Sequence, residues 1–550
     1  MAEQRLELVW PGKDKFLLVP KDETGKPVWV ERDHPAASEV RLADFTGVVG
    51  EVPDDPYAAN LLFTGDSLDV LRILCEVPEY RAIYRGKVKL VYIDPPFNTG
   101  QAFEHYDDWM EHSTWLSFMR ERLLLIRDLL APDGSVWVHL DDAEQHRMRL
   151  LMDEVFGAQN AVATVVWQSS DIPKSTARHF SVDQDYISVY AADASRWRPR
   201  KLPRTEAMDA KYKNPDGDPR GPWLPGPITA TKPYSKGTYP IVTSDGTEYW
   251  PTPGTFWRFA QDKFEQLNSD GRIYWGKDGR SRPLIKRYLS EVGDLVPRTL
   301  WHYTEVGSTR HAKIETKQLF TNPFGTPKTE RLMERVVEIG SQPGESVLDC
   351  FAGSGTTAAV AHKMGRRWVT SEILPSTVEQ FTLPRLTKVV AGEDPGGITK
   401  AVGWQGGGGF RTVTVGPSMY EGTPFGVLLA EWATNGRFAR AVAGQLGFEF
   451  QDEAAPLCGV RGRMRLAVID GSVGTEEIRQ VVGALGDKER VTVVAKAVLP
   501  EAESLLADVS PGSRIRKAPR DLLTGGARRM RRRAEASTRH TADVTEGSGS

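Results

Sequence analysis

Two largely apolar runs, VKLVYI at 88–93 and SVWVHLDD at 135–142, are separated by WLSFMRERLLLIRDLL at 115–130, whose apolar positions recur at helical spacing. The segment LDVLRILCEV at 68–77 shows the same helical period ahead of the first run. Strands joined through helices of this length need crossover connections, and crossovers place helices over both faces of a parallel sheet. The alternation resumes in ESVLDCFAGSGTTAAVAHKMGRRWVTSEI at 345–373, which reads as strand, glycine turn, helix and strand. The fold class is therefore α/β, built on a doubly covered sheet.

A chain of 550 residues with 40% hydrophobic side chains can fill two or three ordinary domain cores. No window approaches the ~20 uninterrupted apolar residues of a membrane-spanning helix. The N-terminus, MAEQRLELVW, lacks the basic-then-apolar order of a secretory signal, which points to the cytoplasm. Cys75, Cys350 and Cys458 are far apart and show no metal-ligand spacing, and no H-E-x-x-H appears among the histidines, so no metal is expected. A formal net charge of −3 leaves partners open, because a nucleic-acid binder needs a local basic surface and not a basic average.

In VLDCFAGSGTTAAVA, Gly353, Gly355 and Ala358 have the G-x-G-x-x-A spacing that lets backbone approach a ligand and opens a helix. Glu372 closes the next strand about 20 residues on, where an acid can accept hydrogen bonds from ribose hydroxyls. Together these describe an adenosine-binding βαβ unit, a geometry that nicotinamide cofactors also use. A phosphate-cradling loop is disfavoured because no lysine follows the glycines.

The first strand ends in DPPFNTG at 94–100. Two adjacent prolines fix φ and remove two N–H donors, so the turn presents acceptors only: the Asp94 carboxylate and the Pro95 carbonyl. Phe97 adds a flat apolar face on which a planar base can stack. If both strands lie in one parallel sheet, Asp94 and the glycine turn open on the same crevice.

D-P-P-F followed by F-A-G-S-G-T resembles the S-adenosylmethionine-dependent amino-methyltransferases of DNA, and the order of the two motifs resembles their circularly permuted β group. Further stretches, among them WLSFMRERL, DGSVWVHLDD, NPDGDPRGPW, DGRIYWG and KRYLSEV, resemble the modification (Mod) subunits of type III restriction-modification systems, over roughly 60–409. The resemblance implies a Rossmann-like methyltransferase fold. Asp94, Pro95, Pro96 and Phe97 would be catalytic, with Asp94 and Pro95 holding the target amino group and Phe97 stacking on a flipped base. Phe351, Ala352, Gly353, Ser354, Gly355 and Thr356 would line the cofactor's methionine part, Asp349 would orient that loop or contact the cofactor, Glu372 would bind ribose, and Asp66 would lie near the adenine. Family enzymes often carry tyrosine where Phe97 stands, so a hydroxyl is lost while stacking is kept.

The implied organisation is an N-terminal extension (1–58), a catalytic half (59–195), a target-recognition insertion (196–317), a cofactor-binding half (318–400), a C-terminal α/β accessory domain (401–525) and a flexible basic tail (526–550). The insertion is rich in Pro, Gly, Trp and Arg and reads as irregular and β-rich. The tail arginines at 528–533 could meet phosphates nonspecifically. The implied activity is N6-adenine methylation of double-stranded DNA at one short sequence. Methylation of cytosine at C5 is excluded because no cysteine follows a proline. Amino methylation of cytosine at N4 stays open, as does an orphan enzyme without a restriction partner. No G-x-x-x-x-G-K-[ST] occurs, so any restriction activity needs a separate helicase–nuclease subunit. Double-stranded DNA is the implied partner, room remains for a homodimer, and no membrane is involved.

Overall fold

The alternating strands and helices assemble a ten-stranded sheet. The computed structural model describes residues 7–19, 26–99, 102–103, 106–107, 110–243, 245–322, 324–423, 426–452 and 455–523. The tail at 526–550 lies outside the described residues.

In chain order the sheet strands are β1 (Ala43–Gly50), β2 (Asn60–Thr64), β3 (Val88–Ile93), β4 (Leu130–Leu140), β5 (Ala161–Gln168), β6 (Gln184–Ala191), β7 (Leu300–Trp301), β8 (Ser346–Asp349), β9 (Arg367–Glu372) and β10 (Gly409–Val415). Their order across the sheet is β7-β5-β6-β4-β3-β8-β9-β2-β10-β1. Every neighbouring pair from β4 to β10 is parallel. β6 runs antiparallel to both β4 and β5, and β1 runs antiparallel to β10. The helices that matter for the crevice are α1 (Ser67–Glu76), α2 (His112–Leu129), α3 (Gln145–Phe156), α4 (Glu330–Gly340), α5 (Thr356–Lys363) and α6 (Leu383–Ala391).

This is the α/β fold that the sequence pattern predicts, with the Asp94 strand earlier in the chain than the glycine-turn strand. From β3 the chain crosses to β4 on one side, whereas from β8 it crosses to β9 on the other. The carboxyl ends of β3 and β8 thus flank the switch point at which open α/β sheets bind ligands. Leu90 pairs with Val347 and Val91 with Leu348, so continuing the register brings Tyr92 level with Asp349.

The sheet extends beyond the stretch read as methyltransferase. β1 comes from the N-terminal segment, and β10 begins at the last residue of the glycine cluster at 406–409. The region read as 196–317 contains a separate compact unit, Lys201–Pro297. Its centre is the antiparallel trio Trp223–Gly226, Leu284–Tyr288 and Ile273–Tyr274, with a core around Trp257, Phe264 and Ile241. Beyond this unit, Leu300–Trp301 pairs in the main sheet and Thr309–Leu319 is helical. Toward the C-terminus, Glu449–Phe450, Gly459–Arg461, Met464–Val473, Arg490–Val498 and Arg514–Lys517 form a five-stranded sheet around its own apolar cluster. Among the described residues no helix is long and apolar enough to cross a membrane.

Beneath the glycine turn lies a buried charge cluster. Lys363, at the end of α5 and fully buried, donates to Glu330 at 2.7 Å and to Asp394 at 2.6 Å. Arg385 of α6 donates to Glu330 at 2.9 Å and to the Thr356 hydroxyl at 2.7 Å. Removing one member of such a cluster strands its partners in a low-dielectric interior. Lys363→Met should therefore cost about 3–5 kcal/mol, read as a fall in the urea midpoint of the main-sheet unit; an unchanged midpoint would deny the cluster that weight.

Candidate active site

A cavity of about 340 Å³ opens at the carboxyl ends of β3 and β8. Ten of the thirteen site residues read from the sequence line it: Asp66, Asp94, Pro96, Asp349, Phe351, Ala352, Gly353, Ser354, Thr356 and Glu372. Pro95, Phe97 and Gly355 are not among its lining residues. Phe97 packs half-buried against the main core, and Gly355 caps the start of α5.

The glycine turn takes its shape from positive backbone angles. Gly353 has φ +49° and Gly355 has φ +77°, a region that side chains with a Cβ rarely adopt. A Cβ on Gly353 would come within 3.3 Å of the Phe324 ring, which also lines the cavity, so a side chain here would crowd that ring as well as strain the backbone. The Thr382 hydroxyl donates to the Gly353 carbonyl at 2.7 Å from the end of a single π-turn, Val378–Thr382. Glu372 accepts from the Gly353 N–H at 3.0 Å and from the Leu374 N–H at 3.1 Å. Burial raises its carboxyl above the usual range even though these N–H groups pull the other way.

Asp94 follows β3. Its Oδ2 accepts from the Lys328 ammonium at 2.6 Å, a contact between residues 234 positions apart. Lys328 also lies 5.0 Å from the Phe97 ring centroid, within cation–π reach. The turn is braced from behind: Trp115 of α2 donates its indole N–H to the Pro96 carbonyl at 2.8 Å. Asn98, at φ 61°, donates to Glu144 at 2.6 Å and accepts from the Met110 N–H at 2.7 Å.

Behind Phe97 runs a buried polar chain. The Tyr92 hydroxyl is 2.7 Å from His139 Nδ1, and His139 Nε2 is 3.2 Å from Asp185, which also accepts from Ser169 at 3.1 Å. The His139 ring lies 5.8 Å from the Phe97 ring at 30°. HLDD at 139–142 reads in sequence as a strand end with solvated acids; Asp142 is exposed and Asp141 is partly so, while His139 inside β4 is fully buried. Its ring packs among Tyr92, Phe97 and Trp167, neighbours that sequence periodicity does not reveal. Burial pushes the Tyr92 hydroxyl well above its usual value, helped by the carboxylates of Asp94, Asp349 and Asp185. Burial acts to raise Asp185 as well, but the His139 bond and charge, Lys328 and Ser169 outweigh it and leave this carboxyl low.

Asp66 is first of all a helix cap. It accepts from the Leu68 N–H at 2.7 Å at the start of α1, and Arg122 of α2 grips both its oxygens at 2.9 Å. The Arg122 guanidinium covers the Phe118 ring at 3.5 Å, and Phe118 lines the cavity. Asp349 is fully buried; burial pushes its carboxyl up to about 7, and the nearby Asp94 and Glu372 carboxylates add to the shift. The cavity thus faces four carboxyl groups and, among its described lining residues, one cation, Lys328.

Sequence reasoning missed Lys328, Phe324, Phe118, Tyr92 and His139. Tyr92 had a signal in its two-residue spacing from Asp94, which in an extended chain puts both side chains on the same side. Phe324 and Lys328 lie in FGTPK, where proline and glycine mark a turn but nothing local assigns it to this crevice.

The chain belongs to the DNA methylase family, whose model matches residues 88–382, more than half of the chain. It is similar to the Mod subunit of the type III restriction-modification enzyme StyLTI of Salmonella typhimurium, at 33% identity over 54% of this chain and 49% of the relative. Likeness to the EcoP15I Mod subunit of Escherichia coli is 27% over 57% of each chain. A shorter stretch of 111 residues is 50% identical to the DNA adenine methyltransferase YhdJ of Escherichia coli, covering 20% of this chain and 35% of that one. The chain spans about half the length of the Mod subunits it matches.

The raised Asp349 carboxyl has a measurable consequence. Between about pH 4, where an unfolded aspartate loses its proton, and about pH 7, the folded chain keeps a proton that the unfolded chain has released. Asp349 therefore makes stability fall as pH rises through that window and level off above it. Asp349→Asn should remove this contribution, giving a variant more stable than the parent at pH 8 with the gain vanishing toward pH 4. Urea unfolding at a series of pH values checks it, and parallel profiles for the two proteins would refute it.

Proposed function

We propose that the chain is an S-adenosylmethionine-dependent DNA methyltransferase that modifies adenine at N6, at one short recognition sequence in double-stranded DNA. The observation that carries this reading is the shared cavity: the acceptor-only DPPF turn and the open glycine turn end adjacent parallel strands and line one space of about 340 Å³. The relatives named as Mod subunits support DNA as substrate, and the local likeness to a DNA adenine methyltransferase supports adenine.

The residues fit the cofactor. A Cβ on Gly353 would crowd the Phe324 ring at the cavity wall, and the carboxyl groups of Asp66, Asp94, Asp349 and Glu372 outnumber the lysine that lines the cavity, which favours a ligand carrying positive charge. S-adenosylmethionine supplies a methyl group on a positively charged sulfur. The backbone of the glycine turn and Phe351 would hold its methionine part, Glu372 its ribose, and the Asp66 side of the cavity its adenine.

The chain's own residues act on the target base. The lone pair of an exocyclic amino group is delocalised into its ring. Asp94 and the Pro95 carbonyl accept the two amino hydrogens and draw the nitrogen toward a tetrahedral, nucleophilic shape, while Phe97 stacks on the ring. The base must leave the duplex, since its N6 cannot reach the cavity while stacked and paired. The Lys201–Pro297 unit is the target-recognition part in this reading, and a separate subunit supplies any restriction.

Asp94→Ala should abolish methyl transfer while cofactor binding survives, and Gly353→Val should lose cofactor binding first; calorimetric titration of both variants with S-adenosylmethionine separates the roles. For the product, DNA methylated with labelled cofactor is digested and the nucleoside identified by chromatography and mass spectrometry. N6-methyladenine is expected. Label in N4-methylcytosine would overturn the choice of base, and label absent from DNA would overturn the activity.

A further inference from the structure

We infer that Lys328 is a positioning residue of the amino-group site, pinning one oxygen of Asp94 so that the other faces the target base as a free acceptor. The inference rests on the methyltransferase reading above, and no motif in the sequence assigns this lysine.

Three observations converge on it. First, the Lys328 ammonium holds Asp94 Oδ2 at 2.6 Å, and both side chains are largely buried, at 11% and 23% exposure. Second, Asp94 Oδ1 is buried and has no hydrogen-bond partner among the described residues. Buried polar atoms are rarely left unpaired, and one at a reactive turn asks for a donor that arrives from outside the chain. An amino N–H of a base is such a donor. Third, the ammonium lies 5.0 Å from the Phe97 centroid, so one side chain touches both features proposed to receive the base.

Lys328 is itself held firmly. Thr329, fully buried, caps α4 by accepting from the Leu332 N–H at 3.2 Å, and its hydroxyl donates to the Val306 carbonyl at 2.5 Å. The Lys328 carbonyl accepts from the Thr356 hydroxyl at 3.4 Å, which ties this residue to the glycine turn. The side chain then spans to the end of β3. Asp94 shares its cavity with Asp66, Asp349 and Glu372, and Lys328 supplies the counter-charge beside it. A charge-assisted bond is short and directional, so it fixes the plane of the carboxylate as well as its position.

The test uses the full-length chain with Lys328→Met and Lys328→Arg. Lys328→Met should lower kcat by roughly 10–100-fold, the loss typical of residues that orient a functional group. Its cofactor affinity should stay at the parent value, which requires a folded cavity, and Lys328→Arg should recover most of the rate. In the double variant with Asp94→Asn, Lys328→Met should add no further loss, because the two act as a unit. An unchanged or raised kcat in Lys328→Met would overturn the inference and make the lysine an occupant that the base displaces. Loss of cofactor binding with kcat intact at saturation would overturn it in favour of a cofactor-holding role. Failure of the unsubstituted chain to methylate DNA in the same assay would instead sink the methyltransferase reading, and the inference with it.

Discussion

The glycine turn can be open only because the charges beneath it are closed. Lys363, Glu330, Arg385 and Asp394 are sealed from water, and each has a partner at hydrogen-bond distance. Burying four charges is costly and is offset only when every member is in place, so α4, α5, α6 and the chain around Asp394 must come together as a set. Arg385 extends the cluster to the Thr356 hydroxyl, and Glu330 also accepts from the Ile398 N–H at 3.0 Å. The first turn of α5, and with it the floor of the cavity, is therefore anchored from below by charge. From above it is shaped by Gly353, Gly355 and Thr382.

The cavity adds a second layer of electrostatic order. Asp349 is deep enough that burial holds its carboxyl near neutrality, up to about 7. Glu372 commits an oxygen to each of two backbone N–H groups, and Asp66 is gripped by Arg122. Each carboxyl group thus tolerates its neighbours in one of three ways: a raised proton affinity, backbone donors, or a cation. Lys328 performs the last of these for Asp94. On the far side of Phe97, the Tyr92–His139–Asp185 chain satisfies polar groups that would otherwise be stranded in the core. It also fixes the ring against which Phe97 leans.

Much of this was legible before any coordinates, for a reason that differs from residue to residue. DPPF reads from four consecutive residues because proline restricts φ and removes donors wherever it stands. FAGSGT reads because glycine spacing reports backbone angles directly, and both glycines indeed have positive φ. HLDD reads as a strand end with solvated acids, and Asp142 is exposed, but the buried partners of His139 come from other elements and leave no local signal. β10 begins at the end of a glycine cluster that looked like a boundary, yet its backbone pairs between β2 and β1. The compact unit Lys201–Pro297 is narrower than the compositional stretch at 196–317, since proline and tryptophan content changes gradually while packing changes at a few residues.

By itself, the sequence determined the crossover pattern, hence a largely parallel sheet, and it determined the two rigid turns that end adjacent strands. Those features follow from local backbone chemistry: periodicity, proline, glycine and helix caps act over a few residues. Which charges meet was decided by the tertiary structure alone. Lys328 reaches Asp94 across 234 positions, and Lys363 meets Asp394 and Glu330 from separate elements. Such contacts depend on sheet order and helix packing, and a side chain's partner at long range leaves no trace in the residues beside it.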